Sequence, residues 1–180
     1  MRRRADAEGA AIRRLEPRDV RPLVALLASS EPWRTLGYEA ADWRRLLGGP
    51  LASREAWVLD DGGGARGVAI VRCGFLAGDY LELLAVVAGA RGRGLGARLL
   101  AHAEAAVFAR ARNFFVSVSD FNHDARRFYR RRGYRQVGRL DDLLIAGSAE
   151  LLLRKTSGPA RLNSGRSSRP SARSRRSPGR

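Results

Sequence analysis

A glycine-rich turn flanked by arginines is the first feature of this chain with a clear chemical use. It reads Arg91-Gly-Arg-Gly-Leu-Gly96 and follows an apolar run from Leu81 to Val87. It leads into a predicted helix from Leu95 to Arg110, in which apolar residues recur at helical spacing. The first N–H groups of a helix lack internal partners and carry partial positive charge, so this turn can hold a phosphate through main chain alone. It therefore predicts an anion site, with a ligand-free connection as the alternative.

The two common phosphate loops do not fit this turn. A P-loop needs a lysine after its last glycine, and the only lysine of the chain is Lys155. A dinucleotide fingerprint fits Gly92 and Gly94 as its first two glycines, but Ala97 stands at the third position and the acidic residue expected about 20 residues later is only weakly represented. The turn is better described as Arg-x-x-Gly-x-Gly.

A second constellation follows about 30 residues later. Asn122, Ala125, Tyr129, Gly133 and Tyr134 match N-x-x-A-x-x-x-Y-x-x-x-G-[FY] at every spaced position. This motif and the glycine turn, in this order, resemble the signatures of the GNAT superfamily, the Gcn5-related N-acetyltransferases, whose loop is [Q/R]-x-x-G-x-[G/A]. The resemblance extends over about residues 11–155 and is strongest over 80–134.

The resemblance implies acetyl-CoA as cosubstrate and transfer of its acetyl group to a primary amine of a small molecule or protein, by direct attack in a ternary complex. It implies that the strand before the turn splays from the next strand and bonds the pantetheine arm, with one N–H near the thioester oxygen. The turn would hold the diphosphate. The residues assigned to acetyl-CoA in this way are Leu84, Val86, Arg91, Gly92, Arg93, Gly94, Leu95, Gly96, Ala97 and Asn122.

Acid–base roles are also implied by the resemblance. Tyr129 matches the tyrosine that donates a proton to the departing thiolate, and a phenol is protonated at neutral pH. In the ribosomal-protein alanine acetyltransferases a glutamate stands five residues before the motif asparagine, where this chain has Ser117. A serine can only order a water there. Glu82, inside an apolar strand where a carboxylate must face the cleft or be paired, is therefore the predicted base, ahead of Asp79, Asp120 and Glu55.

The acceptor would be chosen by the first helices and by the loop at 140–148. Trp33, Tyr38 and Trp43 are the aromatic candidates for substrate contact, and Ser117 is a further candidate. Packing against the sheet is the competing interpretation for the aromatic rings.

The elements that must position these residues follow from periodicity and turn signals. The predicted order is β-α-α-β-β-β-α-β-α-β-β, with about seven strands and four helices. This order predicts an α/β or α+β fold with a mixed, twisted sheet of the GNAT type. Asn122 is the expected N-cap of the last helix.

Composition restricts the class of protein. The 180 residues suit one domain, and no apolar segment approaches the roughly 20 residues of a membrane span. No apolar run follows the N-terminal arginines as in a signal peptide, so a cytoplasmic protein is expected. Two histidines and one cysteine, Cys73, at no ligand spacing predict no metal site.

The formal net charge of +16 is unevenly distributed. Residues 156–180 contain seven arginines, no acidic residue and much Ser, Gly and Pro, which predicts a disordered tail. The predicted organisation is a flexible N-terminus at 1–10, the acetyltransferase domain at 11–155, and the tail. The tail is either a solvated extension or a weak electrostatic tether to nucleic acid or an acidic partner. The second interpretation leaves a different function open, a non-catalytic acyl-CoA-binding regulator, and either protein could be a monomer or a homodimer.

Overall fold

The computed structural model describes residues 9–50, 52–87 and 93–160. In this part of the chain seven strands and four helices follow one another in the predicted order. They are β1 Ala11–Arg14, α1 Pro17–Ala28, α2 Ala40–Gly48, β2 Arg54–Asp60, β3 Ala65–Phe75, β4 Gly78–Val86, α3 Leu95–Phe108, β5 Asn113–Ser119, α4 His123–Arg130, β6 Arg135–Asp141 and β7 Ala149–Thr156.

The strands form one mixed sheet in the order β1-β2-β3-β4-β5-β7-β6. Every neighbouring pair is antiparallel except β4 and β5, which are parallel. A parallel pair needs a crossover connection, and α3 supplies it. The predicted fold class, an α+β arrangement with a mixed sheet, is confirmed.

Helices cover both faces of the sheet and enclose two apolar cores. On one face Leu99 and Val107 of α3 and Tyr129 of α4 pack with residues of β3, β4, β5 and β7. On the other face Leu23 and Leu27 of α1 pack with residues of α2 and of β2 to β4. The sheet is therefore the middle of three layers, and any opening in it connects the two faces.

A β-bulge at Glu82 divides β4. Leu83 pairs with Ile70 and Leu81 with Val71, so Glu82 has no residue of β3 opposite it. Successive odd positions of a regular strand share a face, but here Leu81 belongs to the α3 core and Leu83 to the α1–α2 core. The bulge thus changes the face on which side chains emerge along the half of β4 nearest the glycine turn.

The predicted ends of elements lie close to the observed ones. The long helix begins at Leu95 as predicted and ends at Phe108, two residues earlier. β7 continues through Thr156, one residue into the segment predicted as a tail. The remainder of that predicted tail from 161, and most of the predicted N-terminal segment, lie outside the described residues.

Candidate active site

The site is built around a gap between the parallel strands β4 and β5. These strands pair only through Asp79 with Phe114, Tyr80 with Phe115, and Leu81 with Val116. Beyond Leu81 the strand continues to Val86 without pairing to β5, while β5 stays paired to β7. The two strands therefore diverge, as the superfamily resemblance predicts.

Tight contacts hold the strands together where they do pair. A Cβ added at Gly78 would lie 2.1 Å from the backbone oxygen of Asn113, so only glycine fits at this approach. The Asn113 side-chain amide donates to the Ala77 carbonyl at 2.9 Å. Asp79, whose side chain is almost fully buried, accepts hydrogen bonds from the Gly74 N–H and from Arg110. The closed end of the gap is thereby fixed.

Backbone groups of the diverging part of β4 point into the gap. The Val87 N–H donates to the Arg66 carbonyl of the β3 side at 2.8 Å. Backbone groups of an antiparallel strand alternate in direction, so the peptide groups of Val86 and Leu84 point away from β3 and towards β5. A row of main-chain donors and acceptors is available there to an extended ligand.

The glycine turn leads directly into α3. Gly94 is the helix N-cap and has a φ of +79°, a conformation that glycine adopts without strain. Its carbonyl accepts the first helical hydrogen bond, from the Arg98 N–H at 3.0 Å. The N–H groups of Leu95, Gly96 and Ala97 precede that bond and have no partner inside the helix. They lie where the sequence predicts an anion site.

Two other predicted residues of this turn, Arg91 and Gly92, lie outside the described residues. Arg93 is described and is partly buried just before Gly94. A Cβ at Gly96 would meet only side chains at ordinary contact distance, Val86 at 3.6 Å and Phe128 at 3.8 Å.

A cavity of about 1030 Å³ runs through this gap. On the α3–α4 face its wall includes Gly94 to Ala97 and Tyr129, and on the α1–α2 face it includes Tyr80 and Ser117. Because the cavity is open to both faces of the sheet, two molecules can approach each other through it from opposite sides.

Tyr129 lies on the wall of this cavity with its ring almost fully buried. The ring packs edge-on against Phe128 and Tyr134, with centroids 5.1 Å and 5.3 Å away. Burial is the main cause that raises the pKa of the Tyr129 phenol, the nearby Tyr80 adds to it, and Arg132 opposes it. The hydroxyl therefore stays protonated at neutral pH and is available as a proton donor.

Asn122 caps α4, as predicted. Its side-chain oxygen accepts a hydrogen bond from the Ala125 N–H at 3.1 Å, and the residue also lines the cavity. The cap fixes the start of the short helix that carries Tyr129.

Glu82 lies on the cavity wall but is engaged in ion pairs. Its carboxylate contacts Arg54 at 2.7 Å and also pairs with Arg72, and the side chain is 12% exposed. The sequence predicts that a carboxylate in this strand either faces the cleft or is paired, and Glu82 does both. Both carboxylate oxygens of Glu82 are therefore already engaged by guanidinium groups.

The residues predicted to contact substrate lie together on the α1–α2 face. Trp33 and Tyr38 both line the cavity, and each packs on the buried Trp43, edge-on at 5.4 Å and stacked at 5.0 Å between ring centroids. The Ser117 hydroxyl lies 2.6 Å from the Tyr80 hydroxyl. Trp43 itself belongs to the core, so for this ring the packing interpretation holds.

Glu150 of β7 is a cavity residue that sequence reasoning missed. It is 4% exposed, lines the cavity, and accepts a hydrogen bond from the Ser119 hydroxyl at 2.5 Å. Burial is the main cause that raises its pKa above the usual range for glutamate; Ser119 and Ser117 oppose the shift through hydrogen bonds. A signal was present, because Glu150 precedes the apolar run Leu151 to Leu153 just as Glu82 interrupts one.

Residues 9–50, 52–87 and 93–160 contain no cluster of three or more His, Cys, Asp or Glu side chains arranged to hold a metal ion. No described helix combines the length and apolar character that a bilayer crossing requires.

A sheet that parts between two parallel strands beside a glycine-capped helix defines the class of GNAT-fold proteins. Consistent with this class, residues 52–136 match the family model described as "Acetyltransferase (GNAT) domain". This match includes the glycine turn and the motif from Asn122 to Tyr134, and it agrees with the superfamily that these two motifs predict.

Three relatives illustrate the likeness. A blasticidin-S acetyltransferase of Streptomyces morookaense is 40% identical over an alignment of 80 residues; the match covers 42% of this chain and only 56% of that protein. A putative GNAT acetyltransferase of Desulfovibrio desulfuricans superposes with a TM-score of 0.70 at 23% identity, covering 82% of this chain and 98% of its own. Arabidopsis thaliana NAA60, solved with acetyl-CoA, gives 0.66 at 18% identity, covering 82% and 98%. The last two likenesses concern the fold alone.

Proposed function

We propose that this protein is an N-acetyltransferase that uses acetyl-CoA to acetylate a primary amine. The observation that carries the proposal is the gap between β4 and β5, which leaves a row of backbone groups unpaired beside the N-terminus of α3. A ligand with an extended arm that ends in a diphosphate could bond the unpaired backbone row of β4 through its arm and the N-terminus of α3 through its diphosphate. Acetyl-CoA is such a molecule, and NAA60 has been solved in complex with it.

The residues available to this cosubstrate fit its parts. Peptide groups of Leu84 and Val86 would bond the pantetheine arm, and the amides of Leu95 to Ala97 would hold the diphosphate. Arg127, Arg131 and Arg132 of the α4 region also line the cavity and would offset further phosphate charge. Arg91 and Gly92 stay predictions for the same subsite.

When bound, acetyl-CoA supplies an acetyl thioester. Tyr129, protonated and next to the gap, would donate its proton to the departing sulfur. The Val86 N–H, aimed into the gap, is the proposed donor to the thioester oxygen. Both contributions require the acceptor amine to arrive neutral on the opposite face of the sheet, because an ammonium group has no lone pair.

We further propose a small-molecule amine as the acceptor, with protein amines as the competing class. The aromatic wall of Trp33 and Tyr38 and the exposed leucines Leu143 and Leu144 of the β6–β7 loop surround the acceptor side. These aromatic and apolar side chains suit an amine that is attached to an apolar or planar molecule. The partial match to an enzyme named for blasticidin S, a small molecule, supports the same class.

A thiol-release assay tests the proposal. The full chain is incubated with acetyl-CoA and a panel of blasticidin S, an aminoglycoside, a polyamine, free amino acids and short peptides. We expect amine-dependent release of CoA with at least one small-molecule amine. Tight binding of acetyl-CoA by calorimetry without release on any amine would refute the enzyme and favour the non-catalytic regulator. Release on peptides alone would refute the small-molecule acceptor.

A further inference from the structure

Glu150 differs from the other buried carboxylates in having no cationic partner in the described part of the chain. Asp19 is held by Arg13 at 2.6 Å, and Asp79 by Arg110 at 2.8 Å. Glu150 is equally buried, yet no ion pair among residues 9–50, 52–87 and 93–160 includes it. An ionised carboxylate without a counter-ion is strongly unfavourable in such surroundings. The site is thus complementary to a positive charge that comes from elsewhere.

Hydroxyl groups surround this carboxyl on the acceptor face. Ser119, directly opposite on β5, donates to it, and Ser117, two residues earlier on the same face of β5, also lines the cavity. The Ser117 hydroxyl is in turn 2.6 Å from that of Tyr80. The titratable groups that interact electrostatically with Glu150 are Asp120, Tyr38 and Tyr80. All three are acidic groups and none supplies a positive charge.

We propose that Glu150 binds the acceptor's ammonium group and accepts its proton, so that it is the general base of the reaction. This inference rests on the proposed acetyltransferase function. Ser117 of β5 has no carboxylate with which to act as the base. Glu150 of the paired strand β7 lies opposite Ser119, two residues beyond Ser117 on the same face of the sheet, and supplies that carboxylate. Glu82, already paired with two arginines, is left to a structural role at the bulge.

The proposed step moves one proton from the ammonium to Glu150 and one from Tyr129 to the departing sulfur. The ammonium loses one proton to the Glu150 carboxylate, and the neutral nitrogen forms a bond to the acetyl carbon. The carbon–sulfur bond breaks, its electron pair stays on sulfur, and Tyr129 supplies a proton to that sulfur. The second proton of the nitrogen leaves after transfer and restores the Tyr129 hydroxyl. Glu150 releases its proton to solvent, for which the adjacent Ser117–Tyr80 hydroxyl pair offers a route, so the net products are the amide, the CoA thiol and one proton.

The direction of the pKa shift fits a base. Burial raises the pKa of Glu150, which moves its protonation closer to neutral pH than that of an exposed glutamate. The carboxylate form is required, so kcat/KM should rise with pH through the pKa of Glu150. Below that pKa the carboxyl is neutral and can neither attract the ammonium nor take its proton.

The test compares Glu150→Gln with the unmodified chain, using an amine on which the latter is active. Glutamine keeps the size and can still accept the Ser119 hydrogen bond. We expect kcat/KM at neutral pH to fall by about 100-fold or more, acetyl-CoA affinity to stay unchanged, and the acidic limb of the pH profile to disappear. Glu104→Gln, which changes a partly buried glutamate paired with Lys155 away from the cavity, is the matched control and should keep the limb.

Distinct results overturn the inference. A Glu150→Gln variant that keeps its acidic limb and most of its turnover refutes it, as does loss of the limb in Glu82→Gln instead. If the glutamine variant does not bind acetyl-CoA, turnover of Glu150→Ala is measured with added formate; rescue by formate supports the inference and its absence refutes it. No release by the unmodified chain on any amine refutes the proposed function, and this inference falls with it.

Discussion

Replacing Tyr129 with phenylalanine removes one hydroxyl and nothing else from the cavity wall. The ring contributes to a buried cluster with Phe128 and Tyr134, and phenylalanine preserves those contacts. Loss of a positioned proton donor lowers turnover by about 100- to 10,000-fold. At 1.36 kcal/mol per tenfold this is about 3 to 5 kcal/mol of activation free energy. We expect kcat in the thiol-release assay to fall by that factor.

Binding measurements separate this chemical effect from a structural one. Calorimetry should give the Tyr129→Phe variant the same acetyl-CoA affinity as the unmodified chain, within about twofold, because the hydroxyl would act on the departing sulfur and not on bound thioester. Tyr134→Phe makes the same chemical change in a neighbouring buried ring that does not line the cavity, and it should keep full turnover. Equal losses of turnover and affinity in Tyr129→Phe, or unimpaired turnover, would refute the assignment of the proton donor.

Three further predictions concern the phosphate end, the closed end of the gap and the acid stability. Gly96→Glu should weaken acetyl-CoA binding by about 10-fold or more relative to Gly96→Gln, because the two side chains have the same size but only glutamate repels a diphosphate; equal affinities by calorimetry would contradict this. Gly78→Ala should lower the free energy of unfolding in urea by at least about 1–3 kcal/mol, because its Cβ would overlap the Asn113 carbonyl; unchanged stability would contradict that contact. Hydrogen bonds from Arg13 lower the pKa of Asp19, so the stability that Asp19 adds is present above its ordinary pKa and is lost as pH falls through the lowered one. Asp19→Asn should therefore cost about 3 kcal/mol at neutral pH and nothing in strong acid, measured by urea unfolding across pH.

The parts of the fold that the sequence predicts are those marked by residues close together in the chain. The start of α3 at Leu95 follows from glycine before a run of helical periodicity, and the cap at Asn122 follows from its place before Ala125. Each signal lies within a few residues of the feature it predicts. The divergence of β4 from β5 is different, because it depends on pairing between distant segments, and here only the superfamily resemblance anticipated it.

Glu150 shows why part of the site escaped prediction. Its position beside Ser117 and Ser119 depends on the pairing of β7 with β5, about 30 residues earlier in the chain, and no short motif records that pairing. Glu82 is predicted as the base because a carboxylate in an apolar strand must either face the cleft or be paired. The structure shows that it is paired with Arg54 and Arg72, which β2 and β3 place beside it, and the sequence alone does not indicate that pairing.

The short parallel contact between β4 and β5 makes the sheet two leaves joined along a narrow spine of three residue pairs. One leaf consists of β1 to β4 and carries the unpaired backbone row, and the other consists of β5 to β7 and carries Glu150. The opening angle of the leaves sets the distance between them. A substitution at the pair Asp79 and Phe114, which does not line the cavity, should therefore alter the reach from the thioester to the amine without touching any group that reacts.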